Sequence, residues 1–493
     1  MKCNVVWLKR DLRLRDHPPF QAAIEAGLPI LPLYCFEPSL LNAKMYAPRH
    51  WRFVYESIQS LNLQLQVYGA RVNVFHAELG EVLNTLWGTY QICTIYAHQE
   101  TGVKLTFDRD RWVQKFCEQH EIELVEFQQD GVGRALKHRG GWEERWKTHM
   151  NAPQVEGEYT TGKWIVWEGT TLDACGFPES ITQPDKNFQP GGETYAWRYL
   201  KSFTTERAKN YTPHISKPEF SRKSGSRLSP YLAYGNLSAR QIHQYVSWYQ
   251  QQVPHGEMLG HFHERLWWRS HYMQKLETEY RIEWENLNTG FDCLRWELNE
   301  DIFEAWSSGY TGYPMVDASM RCLIATGFMN FRMRAMLATF WCFTLQQPWQ
   351  PAADYTARLF LDFEPGIHYA QWQMQAGMSG YHTLRIYNPT TQSQRHDPSG
   401  EFVRKWVPEL REVPAPQIYE PWKMTQMEQV FYHCRIGEAY PAPIVNLEQA
   451  HQHAKDAYWR VRQSPAVQHQ LIEIWRKHCL PGNVEKYKEA AAQ

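Results

Sequence analysis

Residues 4–20 read NVVWLKRDLRLRDHPPF. NVVWL is apolar and β-rich. The next eight residues, KRDLRLRD, carry six charges and no glycine. A strand opening a dinucleotide-binding unit would be followed by G-x-G-x-x-G, so ordinary NAD binding is not expected here. Similar β-rich runs recur at ILPLYCF (30–36), RVNVFH (71–76), ICTIYA (92–97) and IELVEF (122–127). Helical patterns lie between them at 49–66, 78–88 and 107–119. Strands alternating with helices predict a doubly wound parallel sheet over residues 1–130.

Outward from that sheet, residues 131–195 are dense in GVGR, RGG, NAP, GFP and QPGGE. Such punctuation predicts a long connection draped over the surface. From residue 196 to 493 the pattern is helical, with stretches at 196–209, 237–252, 258–278, 299–307, 315–326, 330–346, 351–361, 399–406 and 447–479. A chain of 493 residues is too long for one ordinary core, so an α/β domain and an all-helical domain joined by a linker are expected. With 43% apolar and 21% charged residues, disorder is excluded. No apolar run is long enough to span a membrane, and no signal peptide is visible. Ten cysteines without a C-x-x-C fit reduced thiols and a cytoplasmic setting, with no metal site.

Three groups of residues carry chemistry. In FSRKSGSRLSPYLAYGNLSARQ (220–241), Ser224, Gly225, Ser226 and Ser229 precede a helical run, as in a phosphate cradle. A solvated turn with an N-cap accounts for the same residues. Residues 196–240 hold nine Lys/Arg against two Glu, a local +7 in a chain of net charge −1, so any nucleic-acid contact must be local. In the second group, Arg332 and Arg334 interrupt an apolar helical run, and an Arg334–Asp362 pair would relieve a buried charge. Asp362 opens DFEPGIHYAQWQMQ (362–375), a mixture unsuited to a core helix and read as a loop. The third is the tryptophans, 14 of the 22 falling in residues 196–493; Trp296, Trp349 and Trp372 could relay electrons, or be core.

Together these segments resemble the photolyase/cryptochrome flavoproteins over nearly the whole chain. VVWLKRDLRLRDHPPF is similar to that family's opening strand, SRLSPYLAYGNLSARQ to its flavin phosphate segment. GYPMVDASMRCLIATGFMNFRMRAML and RIYNPTTQSQRHDPSGEFVRKWVPEL are similar to its helical-domain blocks. The resemblance implies an N-terminal antenna domain, with a second chromophore of unspecified identity, and a C-terminal helical domain that binds FAD. By position it implies that Tyr211, Ser226, Leu228, Ser229, Arg334, Asp362 and Glu364 bind the cofactor. His368 would face flavin N5, with its pKa near working pH. Trp372, Trp349 and Trp296 would be the inner, middle and outer members of an electron-transfer triad.

The resemblance further implies light-driven electron transfer from reduced FAD to ultraviolet-damaged pyrimidines in DNA, by a monomer that flips the lesion out of the duplex. Trp268, Arg269 and Gln392 match DNA- or lesion-contacting positions. Four residues depart from the pattern of cyclobutane-dimer repair enzymes: Arg265 for a Glu, Phe331 for an Asn, Met374 for a Trp and His368 for an Asn. These substitutions leave cyclobutane dimers only slightly ahead of (6-4) photoproducts. The scattered Cys293, Cys322, Cys342, Cys434 and Cys479 argue against an iron–sulfur cluster. A blue-light photoreceptor of the cryptochrome type, which signals without repair, is the competing expectation. A light-independent flavin oxidoreductase would need an NAD(P)H fingerprint, and none is visible.

Overall fold

The computed structural model describes residues 1–160, 163–294, 296–382 and 384–484. All five expected strands form: β1 Lys2–Trp7, β2 Ile30–Cys35, β3 Asn73–Phe75, β4 Gln91–His98 and β5 Glu123–Phe127. They pair in parallel in the order β3-β2-β1-β4-β5, with Val5 opposite Leu31 and Ile95. The central strand is buried from Cys3 to Trp7 and mostly apolar there because both its faces are covered. Cys3, Val5 and Trp7 pack with Leu83, Leu86 and Phe116 on one side. Val6 and Leu8 pack with Phe20, Phe53 and the larger core on the other.

The charged run after β1 has a structural answer. It leaves the carboxyl edge of the sheet and docks on the helical half of the chain. Lys9, Asp11, Arg13 and Asp16 are all buried. Leu12 N–H donates to Tyr234 O at 3.1 Å, Asn236 Nδ2 to Leu12 O at 2.9 Å, and Arg13 Nη1 to Gly235 O at 3.0 Å. Ser238 Oγ and Arg240 Nε both reach Asp16 Oδ2. Gly235 has φ +69°, and a Cβ there would overlap the Arg10 carbonyl, so the two backbones touch only because it is glycine. Asp11 accepts from His17 Nε2 (3.0 Å) and His98 Nδ1 (2.7 Å). Burial pushes the Asp11 carboxyl up, yet these hydrogen bonds outweigh it and hold it well below the usual range. The three side chains satisfy one another, which accounts for their convergence without an ion.

Residues 131–195 are not simply draped on the surface. They contain the helix Trp142–Asn151, whose Trp142, Trp146 and Met150 are buried at four-residue spacing. Trp142 Nε1 and Gly133 N–H both donate to Gln274 Oε1. The expected 447–479 helix is two, Leu447–Arg462 and Pro465–His478, because Pro465 cannot continue the first and Ser464 caps the second. DFEPGIHYAQWQMQ is corrected most sharply: residues Pro365–Gln375 are a helix, not a loop. Its mixture of side chains is divided between two neighbours. Gly366 packs on the helix Gly256–Thr278, where a Cβ would meet Met273 Cα at 2.6 Å, while another stripe faces a cavity. Among the described residues no helix is long and apolar enough to cross a membrane.

Candidate functional site: a cavity in the helical domain

A cavity of about 650 Å³ opens among the helices, within the size range of cofactor sites. Three segments build most of it. The first is the turn between the short helix Pro218–Ser224 and Ser229. Its carbonyls are taken from behind: Arg207 donates to Gly225 O and Ser226 O, and Gln189 Nε2 to Arg227 O at 2.8 Å. Ser226 and Ser229 line the cavity. Arg227 sits at φ +59°, its guanidinium 4.1 Å from the Phe328 ring, and Arg227 Nε and Arg222 Nη1 are buried without a partner. Burial, with Arg222 adding to it, lowers Arg227 to about 10. Two hydroxyls beside the under-satisfied Arg227 guanidinium form a donor set that suits the pyrophosphate of a dinucleotide such as FAD.

The second segment is the helix Phe331–Thr339, capped by Asn330. It delivers Arg334, whose Nη2 lies 3.0 and 2.8 Å from the two Asp362 oxygens and whose Nε donates to Met329 O. The guanidinium stacks 3.9 Å from the Phe360 ring centroid. The expected Arg334–Asp362 pair therefore forms, on the cavity wall. The third segment is the helix Pro365–Gln375. His368 and Trp372, four residues apart, share its cavity face with Ile367, Gln371 and Gln375. Their rings are 6.4 Å apart.

His368 is not poised near working pH as expected from its residue type. Burial lowers it to about 4 against a 2.8 Å hydrogen bond from Nε2 to Ala353 O, with Arg334 adding to the depression. The ring is neutral at pH 7, with Nε2 protonated and Nδ1 left as an acceptor. His50 behaves alike: burial takes it to about 3 although Nε2 donates to Phe360 O. Both folded values lie below the unfolded ~6.5, so their contribution is fully present above that pH and lost as pH falls toward about 4. The unfolding free energy from urea titrations should therefore fall between pH 6.5 and 4.5, by up to about 1.4 kcal/mol per pH unit per histidine. His50→Gln should lower the slope by about one proton; an unchanged slope would contradict the assignment.

The other expected residues scatter more widely. Tyr211 and Arg265 both line the cavity; burial raises the Tyr211 hydroxyl, and the charge of Arg265 opposes the rise. Trp268 and Phe331 are half-exposed on the rim. Arg269 is turned inward, 2.7 Å from Asp130 Oδ1 and 3.4 Å from Glu364 Oε2, with a bond to Leu232 O. Glu364 is not on the wall of this cavity. It faces a small polar chamber between the sheet domain and the helices, with Arg10 and Arg269 for neighbours. Burial raises its carboxyl, and those two guanidiniums oppose the rise. Leu228 is core beneath the turn, and Met374 lies under the Tyr272 hydroxyl at 3.5 Å. Gln392 lines a separate groove.

Of the indoles, Trp372 and Trp349 are buried and Trp296 is half-buried against His453. Trp349 Nε1 donates to Asn286 Oδ1 at 2.8 Å. Ser216, Phe328, Gln371 and Gln375 line the cavity and were not singled out from sequence. Only the glutamines had a readable signal, their three- and seven-residue spacing from His368.

Comparison with known proteins agrees with this architecture. The profile described as the FAD-binding domain of DNA photolyase matches residues 262–460, and the DNA photolyase profile matches residues 4–135. A deoxyribodipyrimidine photo-lyase of Alkalihalophilus pseudofirmus is 29% identical over 465 residues, covering 90% of this chain and 95% of its own. A cryptochrome DASH of Synechocystis is also 29% identical, over 90% and 96%. The solved Synechocystis cryptochrome superimposes with a TM-score of 0.83 at 26% identity, over 93% of this chain and 99% of that one. A class III photolyase of Agrobacterium tumefaciens gives 0.83 at 25%, over 94% and 98%. With a parallel-sheet domain, a helical FAD-binding domain and relatives named as both photolyases and cryptochromes, the chain belongs to the photolyase/cryptochrome family.

Proposed function

We propose that the protein is a light-dependent DNA-repair lyase that splits ultraviolet-induced pyrimidine dimers, using FAD held in the 650 Å³ cavity. The observation that carries this reading is that a single cavity joins a dinucleotide-type donor set to an open aromatic rim. When bound, FAD supplies light absorption and one-electron donation. Ser226, Ser229 and Arg227 would hold its phosphates. Arg334 would keep Asp362 in place for the ring system, and His368 would offer Nδ1 to a ring N–H. Trp268 and Phe331 stack the flipped lesion, a contact worth roughly 1–3 kcal/mol per base.

Cyclobutane dimers are the favoured substrate. The proton that (6-4) chemistry demands would come from His368, and burial keeps that imidazole neutral. A second chromophore in the N-terminal domain belongs to the same reading. A groove of about 300 Å³ beside Arg109 and the Trp112 indole offers it room. The test is chromatography of oligonucleotides carrying each lesion, after incubation with reduced protein in light and in the dark. Light-dependent loss of the cyclobutane dimer is expected. Conversion of neither lesion by FAD-loaded protein would transfer the assignment to a cryptochrome-type photoreceptor, as some relatives are named.

A further inference from the structure

Between the helices Trp349–Leu359 and Pro365–Gln375 the chain crosses residues 360–364 without helix or strand, and Asp362 sits in the middle of that crossing. Backbone carbonyls outside regular structure need donors from elsewhere. Here the donors come from the sheet domain. Arg49 Nη1 donates to Leu359 O at 2.8 Å, His50 Nε2 to Phe360 O at 2.9 Å and Arg10 Nη2 to Phe363 O at 2.6 Å. Arg49 and His50 stand in the first turn of the helix Pro48–Leu65, and Arg10 in the charged run after β1. His50 Nδ1 accepts from Ala47 N–H at 3.0 Å, which leaves Nε2 as the donor.

Arg10 reaches two sides of the cavity's frame at once. Its Nε donates to Ala233 O at 2.7 Å, at the end of the helix Ser229–Ala233 that leaves the serine-bearing turn. Its Nη2 holds Phe363 O, one residue from Asp362, and lies 3.7 Å from Glu364 Oε2. A guanidinium presents these donors in one rigid plane, and an ammonium cannot. Arg49 bridges in the same way on a smaller scale, with Nη2 to Ile324 O at 3.2 Å. None of the three residues touches the cavity, whose lining begins at Tyr211 among the described residues. Nor are they needed merely to join the domains. Leu12, Arg13 and Asp16 already dock on residues 234–240. What Arg10, Arg49 and His50 add is a fixed path for the segment that carries Asp362.

We infer that Arg10, Arg49 and His50 are positioning residues for the flavin: from the sheet domain they fix where Asp362 stands on the cavity wall, so the N-terminal domain takes part in holding FAD. The inference rests on FAD occupying the cavity, and its test separates the two. Flavin-stripped full-length protein is titrated with FAD. Arg10→Met should weaken binding about tenfold, the share of two charge-assisted hydrogen bonds that falls on the cofactor complex. Arg10→Lys keeps the charge and loses the fork, and should stay closer to Arg10→Met than to wild type. The decisive readout is the double variant. Because Arg10 acts through the Asp362 segment, adding Arg10→Met to Asp362→Ala should cost only about threefold more, whereas a general loosening of the domains would cost the same factor in either background. Arg49→Met, which acts at Leu359 O, should show the same non-additivity and supplies the reading if Arg10→Met does not fold. If wild-type protein takes up no FAD, the cavity reading falls and this inference with it. If wild type binds FAD and the arginine variants bind it equally, are fully rescued by lysine, or lose the same factor with and without Asp362, the positioning role alone falls.

Discussion

Asp362→Ala should leave the protein colourless at FAD concentrations that saturate the wild type. In the wild type, Arg334 is tied to both Asp362 oxygens, braced by Met329 O and stacked on Phe360. Removing the carboxylate leaves a guanidinium of 29% side-chain exposure facing the cavity with its charge uncompensated. Breaking a buried pair costs roughly 3–5 kcal/mol, and partial exposure puts this one at the low end, near 3. If that whole cost fell on the cofactor complex, affinity would drop by about two orders of magnitude. Asp362→Asn keeps a hydrogen-bond acceptor for Arg334 and should lose less. The measurement is flavin content after gel filtration, followed by titration of FAD into the stripped protein. Equal FAD retention by Asp362→Ala and wild type would show that the Arg334–Asp362 pair only braces two helices.

The sheet was legible because its central strands β1 and β2 are buried on both faces. NVVWL and ILPLYCF could be found as apolar runs without any three-dimensional information. KRDLRLRD was not legible in the same way. Six charges in eight residues look like a solvated loop, and several of the partners that bury them lie more than 200 residues away, at Tyr234, Gly235 and Ser238. The Arg334–Asp362 pair could be anticipated because an apolar helix carrying an arginine needs a partner. Glu364 shows the limit of that argument. It is two residues from Asp362, yet it turns to the interdomain chamber, where Arg10 from the charged run approaches it. Periodicity also misled. His, Trp and carboxylates in DFEPGIHYAQWQMQ looked unlike a helix. A helix packed on a neighbour along one stripe and on a cavity along another has no single apolar face to reveal it.

The same helix carries the second large effect. Trp372 is buried on the cavity wall, within 6.4 Å of His368. Trp349 begins the helix Trp349–Leu359 and is also buried, while Trp296 reaches the surface beside His453. In the electron-relay reading, Trp372 gives an electron toward the cavity and is refilled by Trp349, then by Trp296, then by an external reductant. Burial protects the inner two oxidised rings from water, and exposure of the last lets the reductant reach it. Trp372→Phe should therefore nearly abolish loss of the bound flavin's 450-nm band (roughly, the yellow absorbance of oxidised flavin) under blue light with thiol present. Trp296→Phe should instead slow net bleaching, because the electron returns before an external donor intervenes. Trp349→Phe should resemble the inner variant more than the outer. Flavin content should be unchanged in all three, which separates electron supply from cofactor loss. If Trp372→Phe bleaches at the wild-type rate, the three indoles are packing residues and electrons reach the cavity by another route.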